Sequence, residues 1–293
     1  MSARLRGIAR ETQKIVETGH YLAPDGREVT IAPDVSAALA GARMYGPEAV
    51  PVTADSGRKT VFQVTGESST QAARRLTAAA PGPVAVLNFA SARNPGGGFL
   101  NGAQAQEEAL CRASALYATL LRAPEYYEHH RADRDPFYSD RVIHSPGVPV
   151  FRDDRGRLLE SPYTVGFLTS PAPNAGVIAR RTPDRAHRIP AALAGRAERV
   201  LETAAAHGYR RLVLGAWGCG VFQNAPETVA GTFHALLTGD GRFAGHFEET
   251  VFAVLDRSKE KNTYRAFEGT FSAVTAAGPD AGAGRGDGQG LRI

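Results

Sequence analysis

The run from Val84 to Glu108 constrains the fold most. Val84-Ala85-Val86-Leu87 is continuously apolar, as a strand covered on both faces requires, and Asn88-Phe89-Ala90 carries it towards Asn94-Pro95-Gly96-Gly97-Gly98. Seven residues, Phe99 to Ala105, separate the glycines from Gln106-Glu107-Glu108. Behind them Ala109, Leu110, Ala113, Leu116, Tyr117, Leu120 and Leu121 keep the helical period. Strand, glycine loop and helix in that order bring unpaired backbone N–H groups towards an anion. A phosphate-bearing sugar nucleotide over this loop is the reading that follows.

The same order recurs. Arg211–Ala216 reads as a buried strand, Trp217-Gly218-Cys219-Gly220-Val221-Phe222-Gln223-Asn224 as a second glycine loop, and Pro226 suits the first turn of a helix running to Leu237. Further strands are expected over 59–64, 163–169 and 250–255. Helices are expected over 70–79, capped by Ser69 or Thr70, from Ile189 to His207-Gly208, and over 259–271. The alternation predicts a layered α/β domain with a partly parallel sheet. Ligands in such sheets bind at the carboxyl ends of strands, so the loops 94–108 and 217–224 would line one cleft.

Ahead of this lies a helix over 4–17 with Leu5, Ile8, Ile15 and Val16 on one face, ended by Gly19. A hairpin about Pro24-Asp25-Gly26 follows, then a short helix capped by Asp34. Residues 124–163 read as irregular, with short strands at 141–144 and 148–151, and 170–189 as loop. From Ala276 the chain has almost no apolar bulk and reads as a disordered tail. The expected division is an accessory layer over 1–58, a catalytic domain over 59–274 and a tail over 275–293.

Composition excludes several classes. With 43% apolar and 22% charged residues the chain suits a globular fold, and no run approaches the roughly 18 apolar residues of a membrane span. The N-terminus lacks the apolar stretch of a secretory signal. Two cysteines, Cys111 and Cys219, make neither a disulfide framework nor a zinc site, so a reducing cytoplasm is expected. The +4 net charge arises from 34 basic against 30 acidic residues, too mild an excess to argue for nucleic acid.

The glycines lack the following Gly-Lys-Ser/Thr of a nucleoside-triphosphate loop and the spacing of a dinucleotide fingerprint. Gly96, Gly97 and Gly98 allow close backbone approach and positive φ. Glu107 and Glu108 diverge by roughly 100° on a helix, so one would meet substrate hydroxyls while the other reaches a scissile oxygen. A helix N-terminus favours carboxylate, whereas a general acid needs a raised pKa; a bound diphosphate, the neighbouring Glu and desolvation would each raise it. In the second loop Gly218 and Gly220 offer close contact, Phe222 would press on a ribose or base, Cys219 reads as a filler and Trp217 as packing. His129-His130 read as solvated.

Three glycines, seven residues and Gln-Glu-Glu resemble the signature of poly(ADP-ribose) glycohydrolases, and Trp217–Phe222 resembles that family's diphosphate-binding loop. The resemblance covers roughly residues 59–257, and the short N-terminal layer is similar to the bacterial branch. It implies a macrodomain-like fold, a mixed sheet sandwiched between helices, and metal-free, cofactor-free hydrolysis of the ribose–ribose bond in poly(ADP-ribose) to ADP-ribose, with ADP-ribosylated proteins as partners. It implies Glu108 as acid/base, Glu107 and Gln106 as residues that hold the terminal ribose and orient the loop, and Asn88 and Ser91 as ribose contacts. Ser91 stands where longer members carry Asn. Gly96, Gly97, Gly98, Gly218, Cys219, Gly220, Val221 and Phe222 would contact substrate, and strand order suggests Glu67 and Phe252 at the adenine. Two other readings share the glycine loops: an ADP-ribose reader, which lacks the Gln-Glu-Glu, and a hydrolase of single ADP-ribosyl groups.

Overall fold

The computed structural model describes residues 2–53 and 55–275. In chain order the elements are α1 (Ala3–Thr18), β1 (His20–Leu22), β2 (Glu28–Thr30), α2 (Ala32–Gly41), β3 (Arg43–Tyr45), β4 (Val61–Thr65), α3 (Ser69–Ala79), β5 (Val84–Phe89), α4 (Gln106–Ala113), α5 (Leu116–Leu120) and α6 (Pro124–Ala132). Then come β6 (Val142–Arg152), β7 (Leu158–Ser170), α7 (Ala175–Arg181), α8 (Ile189–Ala206), β8 (Arg211–Gly215), α9 (Pro226–Leu237), β9 (Glu249–Ala253) and α10 (Asn262–Thr275).

Seven strands form a mixed sheet in the order β3-β6-β7-β5-β8-β9-β4. The five strands from β7 to β4 are mutually parallel. Their carboxyl ends therefore meet along one edge, and the two glycine loops leave adjacent strands, β5 and β8. Alternation along β5 divides the core. Val84 and Val86 pack with α1 to α6, and Ala85 and Leu87 pack with α8, α9 and α10. Helices thus cover both faces, as the sequence predicts.

The structure differs from the sequence reading in several places. Ser68, not Ser69 or Thr70, caps α3, in a capping box with Gln71. Asp34 lies in the first turn of α2, where Ile31 is the cap residue. The helix behind the glycine loop is two helices, because Ser114 turns extended and bridges to Val150. The two short strands at 141–151 are one strand, β6, with an irregularity between Ser145 and Val148. Pro146 and Gly147 (φ 55°) lie within it. Residues 124–132 are helical. His130 is buried rather than solvated, and its ring nitrogens meet the Tyr126 carbonyl and the Ser139 hydroxyl, each at 2.8 Å.

The N-terminal stretch reaches the sheet itself: β3 pairs antiparallel with β6 at its edge. Helix α1 packs against the glycine-loop turn, where Ser2 N–H donates to Gly102 O at 3.3 Å. The expected tail lies outside the described residues apart from Thr275, which closes α10.

Candidate active site

Helix α4 begins at Gln106, and its first three side chains are tied to the end of β5. The Gln106 amide is spent on the protein: Oε1 accepts from Phe89 N–H at 2.9 Å, and Nε2 donates to Leu87 O at 2.8 Å and Ser69 Oγ at 3.0 Å. These bonds lock the helix start to β5 and α3.

Glu107 is 2% exposed. Its Oε2 accepts from Ser91 N–H at 2.7 Å and its Oε1 from Asn88 Nδ2 at 3.2 Å. Burial pushes its pKa up to about 8, and the Glu108 charge adds to that; the Ser91, Asn88 and Gly96 donors oppose it. Asn88 also donates to Thr169 Oγ1 at 3.1 Å, and its Oδ1, wholly buried, has no partner among the described residues. Ser91 Oγ accepts from Asn94 N–H at 3.2 Å.

Glu108 is 8% exposed, and both its oxygens are anchored. Oε1 accepts from Gly98 N–H and Oε2 from Ala105 N–H, both at 2.9 Å. The second bond is the reciprocal half of a capping box whose cap, Ala105, has no side-chain acceptor. Gly97 makes room for this carboxyl, and its neighbours make room for other side chains. A Cβ on Gly97 (φ 57°) would lie 2.5 Å from Glu108 Oε1, and one on Gly96 (φ 64°) would lie 2.9 Å from the Tyr117 ring. Gly98 has ordinary φ but would meet Ala103 Cβ at 2.7 Å.

The second loop is a nest of open donors. Among the described residues the N–H groups of Gly218, Gly220, Val221 and Phe222 find no acceptor, whereas Cys219 N–H turns back to Ala216 O at 3.1 Å. Asn224, which carried no role in the sequence reading, holds the loop: Nδ2 donates to Pro173 O at 2.8 Å and Gly218 O at 3.1 Å. Burial raises the Cys219 thiol to about 12, so it is no thiolate nucleophile. Trp217 is buried packing, with Nε1 donating to Ser170 O at 3.0 Å. Val221 is exposed, and Phe222 is half-buried against Tyr138.

The two adenine contacts fare differently. Phe252 faces the other side of the sheet. It is wholly buried among Phe233, Phe267 and Phe271, stacked on the last at 4.2 Å, so its ring packs the core rather than lining the cleft. Strand order alone could not reveal its facing, because one residue along β9 reverses it. Glu67 does sit past the carboxyl end of β4, but Arg75 grips its carboxylate, with Nη2 at 2.9 Å, and holds its pKa low.

A mixed sheet between helical layers, with a buried carboxyl pair and a loop of open donors following the adjacent strands β5 and β8, is a macrodomain-like α/β fold. Residues 9–153 match the family model described as microbial-type PARG, catalytic domain. Poly(ADP-ribose) glycohydrolase from Thermomonospora curvata shares 53% identity; the alignment covers 92% of this chain and all of that one, with a TM-score of 0.88. The same enzyme bound to the inhibitor ADP-HPD aligns over the same shares at 54% identity and a TM-score of 0.87. The glycohydrolase from Deinococcus radiodurans in complex with ADP-ribose shares 44% identity over 84% of this chain and 99% of that one, with a TM-score of 0.78. No curated protein matches. The chain belongs to the microbial-type poly(ADP-ribose) glycohydrolases.

Proposed function

We propose that this chain hydrolyses the ribose–ribose O-glycosidic bond of poly(ADP-ribose) and releases ADP-ribose, with Glu108 as the acid/base. The observation that carries the reading is the anchoring of Glu108. Two backbone N–H groups fix its carboxyl at the mouth of the glycine loop, and each oxygen keeps a lone pair for a further partner. Glu108 gives its proton to the leaving ribose oxygen as the C–O bond breaks. The anomeric carbon gains oxocarbenium character, and the carboxylate then takes a proton from the water that adds to it. Glu107, whose pKa burial raises to about 8, donates its proton to a ribose hydroxyl, while the unpartnered Asn88 Oδ1 accepts from one. The Ser91 hydroxyl lies beside them.

The diphosphate rests on the open N–H groups of Gly218, Gly220, Val221 and Phe222, with Cys219 contributing shape. Gly96, Gly97 and Gly98 let the backbone approach the terminal ribose. ADP-ribosylated proteins are the carriers of the polymer. Incubation with purified polymer, and separately with a protein carrying single ADP-ribosyl groups, tests the reading. Free ADP-ribose from the polymer is expected. Binding without release would make the chain a reader, and release only from the singly modified protein would make it a hydrolase of that linkage.

A further inference from the structure

Among the described residues three other than glycine have a left-handed backbone: Tyr138 (φ 57°), Gln223 (φ 58°) and Lys261 (φ 50°). Two of the three meet at Phe222, since Gln223 follows it and the Tyr138 ring lies 5.8 Å from it, centroid to centroid. A bulky residue in this region is strained, and it persists only where its surroundings over-determine it.

They do so here. Tyr138 N–H donates to Asp135 O at 3.1 Å, and Asn174 N–H donates to Pro136 O at 2.8 Å. The Asp135 carboxylate takes Phe137 N–H at 3.0 Å and Arg185 Nη2 at 2.7 Å. On the far side Ser139 meets His130 at 2.8 Å. The Tyr138 ring is thereby held edge-on to His130 at 5.9 Å, with the Arg93 guanidinium 5.8 Å from its centroid. Arg93 directly precedes the first glycine loop and Phe222 lies in the second, so one half-buried ring links the two segments.

We propose that Tyr138 is a substrate-positioning residue: braced by its strained turn, it holds Phe222 against the ADP-ribosyl end of the polymer and so sets how tightly that end is bound. The inference rests on the proposed activity and adds a residue from a segment that carries no glycine-loop or carboxylate motif. A side chain that only stapled the turn would change melting temperature. One that positions Phe222 changes binding while leaving the Glu108 step alone.

The test compares the full-length chain with Tyr138→Phe, Tyr138→Ala and Tyr138→Asn, measuring kcat and KM on polymer, Kd for ADP-ribose and melting temperature. Ala and Asn are expected to raise KM and Kd about ten-fold, the scale of one lost aromatic contact, with kcat within about three-fold. Phe keeps the ring and restores both constants to about two-fold of the original. Asn tolerates the left-handed backbone, so its variant keeps the fold even if the Ala variant does not. Unchanged KM and Kd in a folded Ala or Asn variant, or a loss confined to kcat, would overturn the inference alone. An unsubstituted chain that neither cleaves polymer nor binds ADP-ribose would overturn the proposed activity as well.

Discussion

At the scale of single residues, the proposed site sets two adjacent carboxyls in different surroundings. Glu107 is buried, raised to about 8 and held by Asn88 and Ser91; Glu108 is held only by backbone N–H groups at the loop mouth. The sequence poses a conflict between a carboxylate-favouring helix start and the needs of an acid. In the structure the raised group is Glu107, and burial is the cause. Gly97 is the residue on which the arrangement of Glu108 depends most visibly. Gly97→Ala would force a positive φ on Ala and place a methyl 2.5 Å from the Glu108 oxygen. Turnover on polymer is expected to fall at least about 100-fold, the scale of a misplaced acid/base group. Steady-state rates near those of the unsubstituted chain would show that Glu108 does not depend on that space.

At the scale of elements, periodicity was a good guide wherever one force dominates. Helix α9 runs from Pro226 to Leu237 as read, because Pro at its start and an apolar stripe agree. Both glycine loops fall where apolar strands end. The misses have other causes. Ser114 breaks an apolar period that continues unbroken on paper, since its bridge to Val150 is a tertiary contact. Helix α6 is dense in charge, and its buried Tyr126, Tyr127 and His130 sit between charged neighbours, so no simple stripe shows. Asn88, Gln106 and both Glu residues were legible as candidates from the motif. Thr169, Asn224 and Tyr138 were not, because their roles come from strand pairing and loop packing between segments distant in sequence.

At the scale of the whole molecule, the parallel strands gather every proposed functional loop at one edge, and pH acts on groups spread through the core. His144 is stacked on His207 at 3.7 Å, with Tyr209 OH at 2.9 Å and Arg43 nearby. Burial, then His207 and Arg43, lower its pKa from 6.5 to about 3, and burial lowers His130 to about 4. Between those values and 6.5 the unfolded chain binds more protons than the folded one. Stability present above pH 6.5 is therefore lost as pH falls through this window. Glu107 has the opposite sign: its folded pKa of about 8 lies above the ordinary 4.5, so its contribution, whole below pH 4.5, is lost as pH rises from there to about 8. Melting temperatures are expected to fall steeply on the acid side, and His144→Gln is expected to flatten that limb. An equally steep limb in the variant would contradict the assignment.

Among the described residues no helix is long and apolar enough to cross a membrane. On the proposed reading, Glu108 makes the cleft a hydrolase rather than a holder of ADP-ribose. Single-turnover release of ADP-ribose by Glu108→Gln, measured beside its Kd for ADP-ribose, tests it most directly. The variant is expected to be slower by about 10²- to 10⁴-fold, with Kd within about three-fold, because the open N–H groups of the second loop and Asn88 are untouched. Turnover at the rate of the unsubstituted chain would contradict it.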